Sequence, residues 1–431
     1  MFLKVFYFFS TLKNILIKLS TQVIILFMSL KDKSLRIPYG LSVYDQNEIE
    51  SVVKVLKEHR SNMGKETQTF EKEIAKLYNK KYGIMVNSGS SANFMAIKLL
   101  NLPEGSEVIT PSLTFATTVA PLLQNNLVPI FVDVKHGSYL IDIDKIEQKI
   151  TNKTKALMIP LLLGNVPAMD KLARIAKKHN LILIEDSCDT LGAMFNKKPT
   201  GSYSDISTTS FFGSHIITAG GNGGMIMLNN KNLRDKVKVL RGWGRSSSLF
   251  SESEDIKKRF KTKVASIPYD AKFIFEEIGY NFLPNEMCAA FGNVQLKKLP
   301  KFRKIRENNF RSLLKFFKKY EKFFILPVQD ENVSTQWLAF PLTIKEKTPF
   351  TRLEIVTFLE KNNVQTRPIF TGNILKQPGF KNALSKKNND NYPVADEIMK
   401  RGFVVGCHHG IEKKHIEKLE DLFTEFLSKY N

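Results

Sequence analysis

Between residues 82 and 187, short apolar runs rich in β-branched residues alternate with segments of helical spacing. The runs are YGIMVNSG (82–89), EVITPSLTF (107–115), VPIFVDV (128–134), ALMIPLLLG (156–164) and LILIEDS (181–187). The inserts include SSANFMAIKLL (90–100), FATTVAPLLQNN (115–126) and DKLARIAKKHN (170–180). Parallel strands need a crossover long enough to hold a helix, and a sheet covered by helices on both faces has apolar strands throughout. The alternation therefore predicts an α/β fold with a doubly wound, mostly parallel sheet. Ligands of such sheets lie at the carboxyl ends of the strands. NSGSS, EDSCD and SFFGSH all fall at those ends.

At 431 residues the chain is long enough for two domains. The expected division is a large domain over 31–300 and a smaller α+β domain over 301–431. The basic stretch 297–324 reads as a long helix with one solvated and one packed face, leading into the smaller domain. There STQWLAFPLTI (334–344) reads as one strand and FTRLEIVTFLEKNN (350–363) as a helix. The formal charge is +22, mostly from dispersed lysines. No zinc spacing, RNP-type sequence or basic-leucine repeat accompanies it, so a nucleic-acid partner is not expected. The three cysteines, Cys188, Cys288 and Cys407, form neither a disulfide framework nor a CxxC site, as expected of a cytoplasmic chain. Residues 1–28 are apolar but broken by Lys4, Lys13 and Lys18. Two readings stand: a basic amphipathic anchor on a membrane surface, or a chain whose working start is Met28.

Three stretches carry chemistry. NSGSSAN (87–93) ends a strand and opens a helix, where Gly89 allows close approach and the amides of Ser90 and Ser91 meet a positive helix end. EDSCD (185–189) ends an apolar strand with carboxylates, which need a cation or donors when buried. They suit a protonated ring nitrogen, or equally a metal or a helix cap. SFFGSHIITAGGNGG (210–224) offers the Ser210 hydroxyl, then His215, then a glycine turn.

Taken in order, NSGSSAN, SLTFATT, EDSCDTLGA, SFFGSH…GGNGGM and GYNFLPNEMCAAFG resemble the DegT/DnrJ/EryC1/StrS family of sugar aminotransferases over residues 36–425. The resemblance implies the aspartate-aminotransferase-like fold, type I of the pyridoxal-phosphate-dependent transferases. It implies that Asp186 pairs with the pyridine nitrogen and Phe115 stacks on the ring. Gly89, Ser90 and Ser210 then hold the phosphate, and Asp189 stands where aminotransferases often have Gln. Asn281 reaches the phosphate of a neighbouring subunit, implying a homodimer. Arg367 is a substrate-binding residue for a phosphate or carboxylate, or else part of a structural ion pair.

The family usually tethers pyridoxal 5′-phosphate to a lysine where this chain has His215. An imidazole cannot form that tether, but it can act as a base. The sequence is most similar to the histidine branch, the NDP-4-keto-6-deoxyhexose 3-dehydratases, which serve dideoxysugar and lipopolysaccharide O-antigen synthesis. There pyridoxamine 5′-phosphate brings the amine and deoxygenation at C3 replaces amination at C4. Residues 241–260 and 366–380 resemble stretches of the CDP-4-keto-6-deoxyglucose 3-dehydrases, which carry a 2Fe–2S cluster on cysteines. Serines 246, 247, 248 and 251 stand in that region here, so no iron–sulfur cluster is expected. Glutamate is the expected amino donor, and a separate reductase is the further partner the cluster-bearing members use. An ordinary aminotransferase and an inactive relative acting as a binding protein are the alternatives.

Overall fold

The computed structural model describes residues 35–250, 255–381 and 391–430. The N-terminal segment 1–28 and Ser251 lie outside them. The central sheet has seven strands: β1 (Tyr82–Val86), β2 (Glu107–Pro111), β3 (Val128–Val132), β4 (Thr154–Pro160), β5 (Ile182–Asp186), β6 (Ile206–Ser210) and β7 (Gly224–Leu228). Their spatial order is β1-β7-β6-β5-β4-β2-β3. Every neighbouring pair from β6 through β5, β4 and β2 to β3 is parallel, while β7 runs antiparallel to both β1 and β6. The doubly wound sheet is thus present, with one reversed strand. β6 and β7 are joined by residues 211–223, which hold no helix, whereas a parallel return is usually made through a crossover helix.

Three helices flank the strands where the spacing predicts them: α1 (Gly89–Lys98), α2 (Ala116–Gln124) and α3 (Met169–Lys178). Ile84, Val86, Met95, Ala156, Ile184 and Ile226 pack as one dry layer on a sheet face. Ile109, Leu157, Ile159, Met169 and Leu172 form the layer on the other face.

The basic helix is longer at its start than the charge pattern suggests. It runs as α4 from Glu286 to Phe317 with Pro300 inside it, followed by a 3-10 turn at Lys318–Tyr320. Residue 300 therefore lies mid-helix, and Phe310, Leu313, Phe316 and Phe317 lead the same helix into the C-terminal core. That core contains β8 (Phe324–Ile325), β9 (Phe340–Ile344), β10 (Thr366–Pro368) and β11 (Gly402–Val405), in the order β8-β9-β11-β10. The expectation of one strand over 334–344 is corrected. Val333–Ser334 pairs with Met194–Phe195, and the chain leaves sheet geometry before β9. Its groups bond elsewhere: Thr335 Oγ1 donates to the Gly164 carbonyl, and the Leu338 amide donates to the Leu163 carbonyl. The helix read at 350–363 is present as α5 (Arg352–Lys361), with Thr351 and Glu354 forming a capping box.

Candidate active site

At the carboxyl ends of β1, β5 and β6 lies a cavity of about 250 Å³. Gly89, Ser90, Phe115, Asp186, Asp189, Ser210 and His215 all line it. The topology explains the gathering. Parallel strands point the same way, so the loops that follow them open on one edge of the sheet.

One wall is the start of α1. Ser88 caps the helix by accepting from the Ser91 amide at 3.1 Å. The Ser91 amide is thereby occupied, which corrects the expectation that it faces a ligand. The Gly89 and Ser90 amides remain at the positive helix end. Ser210 ends β6 beside them, so close that a Cβ on Gly89 would meet Ser210 Cβ at 2.5 Å and Cys188 Sγ at 2.9 Å. Only glycine leaves this cradle open.

Asp186 ends β5 and is 5% exposed. One carboxylate oxygen accepts from Asn93 Nδ2 and Thr118 Oγ1, each at 2.8 Å. The other accepts from the Cys188 amide at 3.2 Å. Those donors are themselves held, since Thr208 Oγ1 donates to Asn93 Oδ1 at 2.6 Å and Thr114 Oγ1 donates to Thr118 Oγ1 at 2.9 Å. The carboxylate is thus fixed in angle and supplied only with neutral donors. Asp189 accepts the Leu163 amide at 2.9 Å. Burial pushes its carboxyl up to about 7, the Leu163 amide opposes this, and the nearby Asp186 adds to it. Leu163 presents that amide from a left-handed backbone conformation, φ 58°. The described lining holds two carboxylates and no lysine or arginine. Such a cavity matches a ligand with a positively charged ring.

Phe115 is half exposed and meets Phe370 edge-on at 6.0 Å, leaving a ring face along the cavity. His215 lines the same cavity, with Phe212 edge-on at 5.9 Å. Its ring opens on the cavity, yet its Nδ1 is buried with no hydrogen-bond partner among the described residues. Burial pushes the imidazole down to about 4, the Cys188 and Ser210 backbone groups oppose this, and the Arg306 charge acts with burial. His215 is therefore neutral near pH 7.

A phosphorylated pyridine fits these residues. The helix end and Ser210 match a phosphate, Asp186 a ring N–H, and Phe115 a ring face. Residues 43–423 match the sequence profile of the DegT/DnrJ/EryC1/StrS aminotransferase family. The chain belongs to this family. Within it, the chain is 35% identical over 399 residues to a dTDP-4-dehydro-2,6-dideoxy-D-glucose 3-dehydratase of Saccharopolyspora spinosa, covering 90% of this chain and 86% of that one. It is 34% identical over 401 residues to a lipopolysaccharide biosynthesis protein of Salmonella typhimurium, covering 90% and 91%. A solved GDP-4-keto-6-deoxymannose-3-dehydratase with a trapped PLP–glutamate geminal diamine superposes with a TM-score of 0.81 at 31% identity. That match covers 90% of this chain and 99% of the other.

Two expected site residues of this DegT/DnrJ/EryC1/StrS member lie outside the cavity. Asn281 is exposed and bridges to Gly242. Arg367 is exposed, donates to the Thr366 carbonyl at 2.6 Å, and stands 5.9 Å from the Tyr39 ring. It faces no carboxylate at ion-pair distance among the described residues. Conversely, Asn93, Thr118, Asn222 and Phe370 belong to the cavity although the motif reading passed over them. Asn93 and Thr118 stood inside quoted motifs, at NSGSSAN and SLTFATT. Their polarity on otherwise apolar helices was the available signal. Among the described residues no group of three or more His, Cys, Asp or Glu is placed to hold a metal.

Proposed function

We propose that the cavity removes the C3 oxygen of an NDP-4-keto-6-deoxyhexose with pyridoxamine 5′-phosphate, His215 acting as the base. The observation that carries this reading is the neutral imidazole on the cavity wall, in a chain with named 3-dehydratases among its relatives. Bound there, the cofactor supplies the amine that condenses with the C4 carbonyl and the ring that accepts electrons as the C3 hydroxyl leaves.

The protein's own work is positioning and proton transfer. Gly89 and Ser90 amides and the Ser210 hydroxyl hold the phosphate. Asp186 keeps the ring nitrogen protonated, because an adjacent negative charge favours the charged form. Phe115 covers one ring face. His215 takes the proton from the cofactor's C4′, and being neutral it is ready to accept it. Asp189, with its carboxyl near 7, holds a proton part of the time and faces the same space.

A second copy of the chain accounts for the residues outside the cavity. Asn281 sits on an exposed segment beside Phe273, Phe275 and Ile278, the last 94% exposed. An apolar surface of this kind suits a homodimer in which Asn281 meets the partner's phosphate site. Arg367 suits an anionic group of the substrate, and glutamate suits the return of the amine to the cofactor. The product then enters dideoxysugar and lipopolysaccharide O-antigen synthesis.

The test is mass analysis of products from a panel of NDP-4-keto-6-deoxyhexoses, incubated with pyridoxamine phosphate and glutamate. Loss of the C3 oxygen is expected. A sugar amine as the product would make the protein an aminotransferase.

A further inference from the structure

We infer that Arg306, which lies outside the cavity, is the positioning residue of His215: it grips the backbone of the base and ties it to the C-terminal sheet. This inference rests on the reading of His215 as the base. Arg306 comes from α4, 91 residues away in sequence, and is 0% exposed. Its Nη2 donates to the His215 carbonyl at 3.3 Å. Its Nη1 donates to the Trp337 and Leu338 carbonyls, both at 3.2 Å. Its Nε donates to His409 Nδ1 at 3.1 Å. One planar guanidinium thus joins the loop after β6, the segment before β9 and the turn after β11. Its fork cannot serve all three unless each stays in place.

The setting is costly for a mere packing residue. A buried charge needs compensation, and no carboxylate lies at ion-pair distance from Arg306 among the described residues. All four acceptors are neutral. His409 is also fixed, its ring lying flat on Phe302 with centroids 3.9 Å apart and planes 17° apart. Because His409 Nδ1 accepts, its proton sits on Nε2. Apolar replacement of a buried charge is often tolerated by the fold. The guanidinium meets the site through the His215 carbonyl.

The charge has a second effect. It stands behind His215 and opposes a positive imidazole, after burial itself. The other titratable groups lining the cavity with His215 are Asp186 at the end of β5 and Cys188 and Asp189 just after it. Tyr39 and Cys407 face Arg306 from its far side. The Cys188 and Ser210 backbone groups favour a charged imidazole, and Arg306 acts against them. Arg306 therefore both aims the base and keeps it unprotonated.

The test uses full-length Arg306→Met and Arg306→Lys. Two readouts are needed: steady-state kinetics, and the NMR titration of the His215 ring, assigned by its loss in His215→Gln. In Arg306→Met, kcat is expected to fall about tenfold or more through misplacement. Pyridoxamine phosphate affinity should stay within about threefold of wild type, since each is a positioning effect only. The His215 ring should protonate at a higher pH than in wild type, remaining below the ordinary 6.5 because burial persists. Arg306→Lys should hold the titration near wild type yet lose kcat, because an ammonium cannot reach four acceptors. A folded Arg306→Met with unchanged turnover and unchanged ring titration overturns the inference. Should that variant not fold, the decision passes to Arg306→Lys and His409→Gln, and unchanged kcat in both overturns it. The ring titration reads out even if wild type dehydrates no sugar tested, so failure here and failure of the proposed function are distinguishable.

Discussion

Gly89→Ala is the sharpest probe of the phosphate cradle. Gly89 is the first helical residue of α1 and has no positive φ, so the backbone accepts alanine. Space decides the outcome. The new methyl would lie 2.5 Å from Ser210 Cβ and 2.9 Å from Cys188 Sγ. Carbon contacts relax near about 3.5–4.0 Å, so one wall must move by roughly 1 Å. Neither wall is a flexible chain end, since Ser210 closes a strand paired to Gly224. Gly224 is itself pressed against the Ser88 carbonyl, 2.2 Å from where its Cβ would lie. Overpacking of this kind costs about 1–3 kcal/mol of stability. The larger effect is on the ligand. A shift of roughly 1 Å misaligns the Ser210 hydroxyl with a charged phosphate, a bond worth about 1.5–3 kcal/mol. The dissociation constant for pyridoxamine phosphate should rise about 10- to 100-fold. Fluorescence titration of the purified protein measures it, with Gly379→Ala as the control, a glycine with open space around it among the described residues. Affinity within about twofold of wild type in a folded Gly89→Ala would refute the steric argument.

Three further outcomes are expected. His215→Gln should lower kcat by about 10²–10⁴-fold with little change in cofactor affinity, and intact turnover would remove the base from the reaction. In the free-enzyme profile of kcat/KM the limb set by His215 should fall toward about 4 rather than at 6.5, because the base works unprotonated and burial lowers its value. His408 is buried, which pushes its imidazole down to about 3, while its ring nitrogens pair with the Pro38 carbonyl and the Gly410 amide. The unfolded chain binds that proton near 6.5 and the folded chain does not, so stability is complete above 6.5 and drains away as pH falls toward 3. Denaturation midpoints at several pH values should show a smaller acid loss in His408→Gln than in wild type.

Much of the fold was readable from local pattern. Apolar runs such as ALMIPLLLG and LILIEDS have no partner but a buried sheet, and the helical inserts between them demand parallel crossovers. Reversal of β7 was not readable, because GGMIML is equally apolar in either direction. The run 334–344 misled for a related reason. Its apolar character is real, but Trp337 and Leu338 spend their carbonyls on Arg306 rather than on a strand neighbour. The motif residues of the site stood at strand ends, where short polar clusters interrupt apolar runs. The residues that hold Asp186 did not declare themselves, since Asn93 and Thr118 are 93 and 68 residues away from it in sequence.

By itself the chain of letters determined the strand–helix alternation, the small-residue helix start at Gly89 and the presence of an imidazole at position 215. These are local properties, set by side-chain size, polarity and spacing over a few residues. Tertiary structure alone decided that Asp186 is gripped by two helices, that burial brings the Asp189 carboxyl to about 7, and that a guanidinium from α4 sits behind the base. Those depend on which distant groups share a dry space, and dielectric surroundings and hydrogen-bond geometry exist only once the chain has closed on itself.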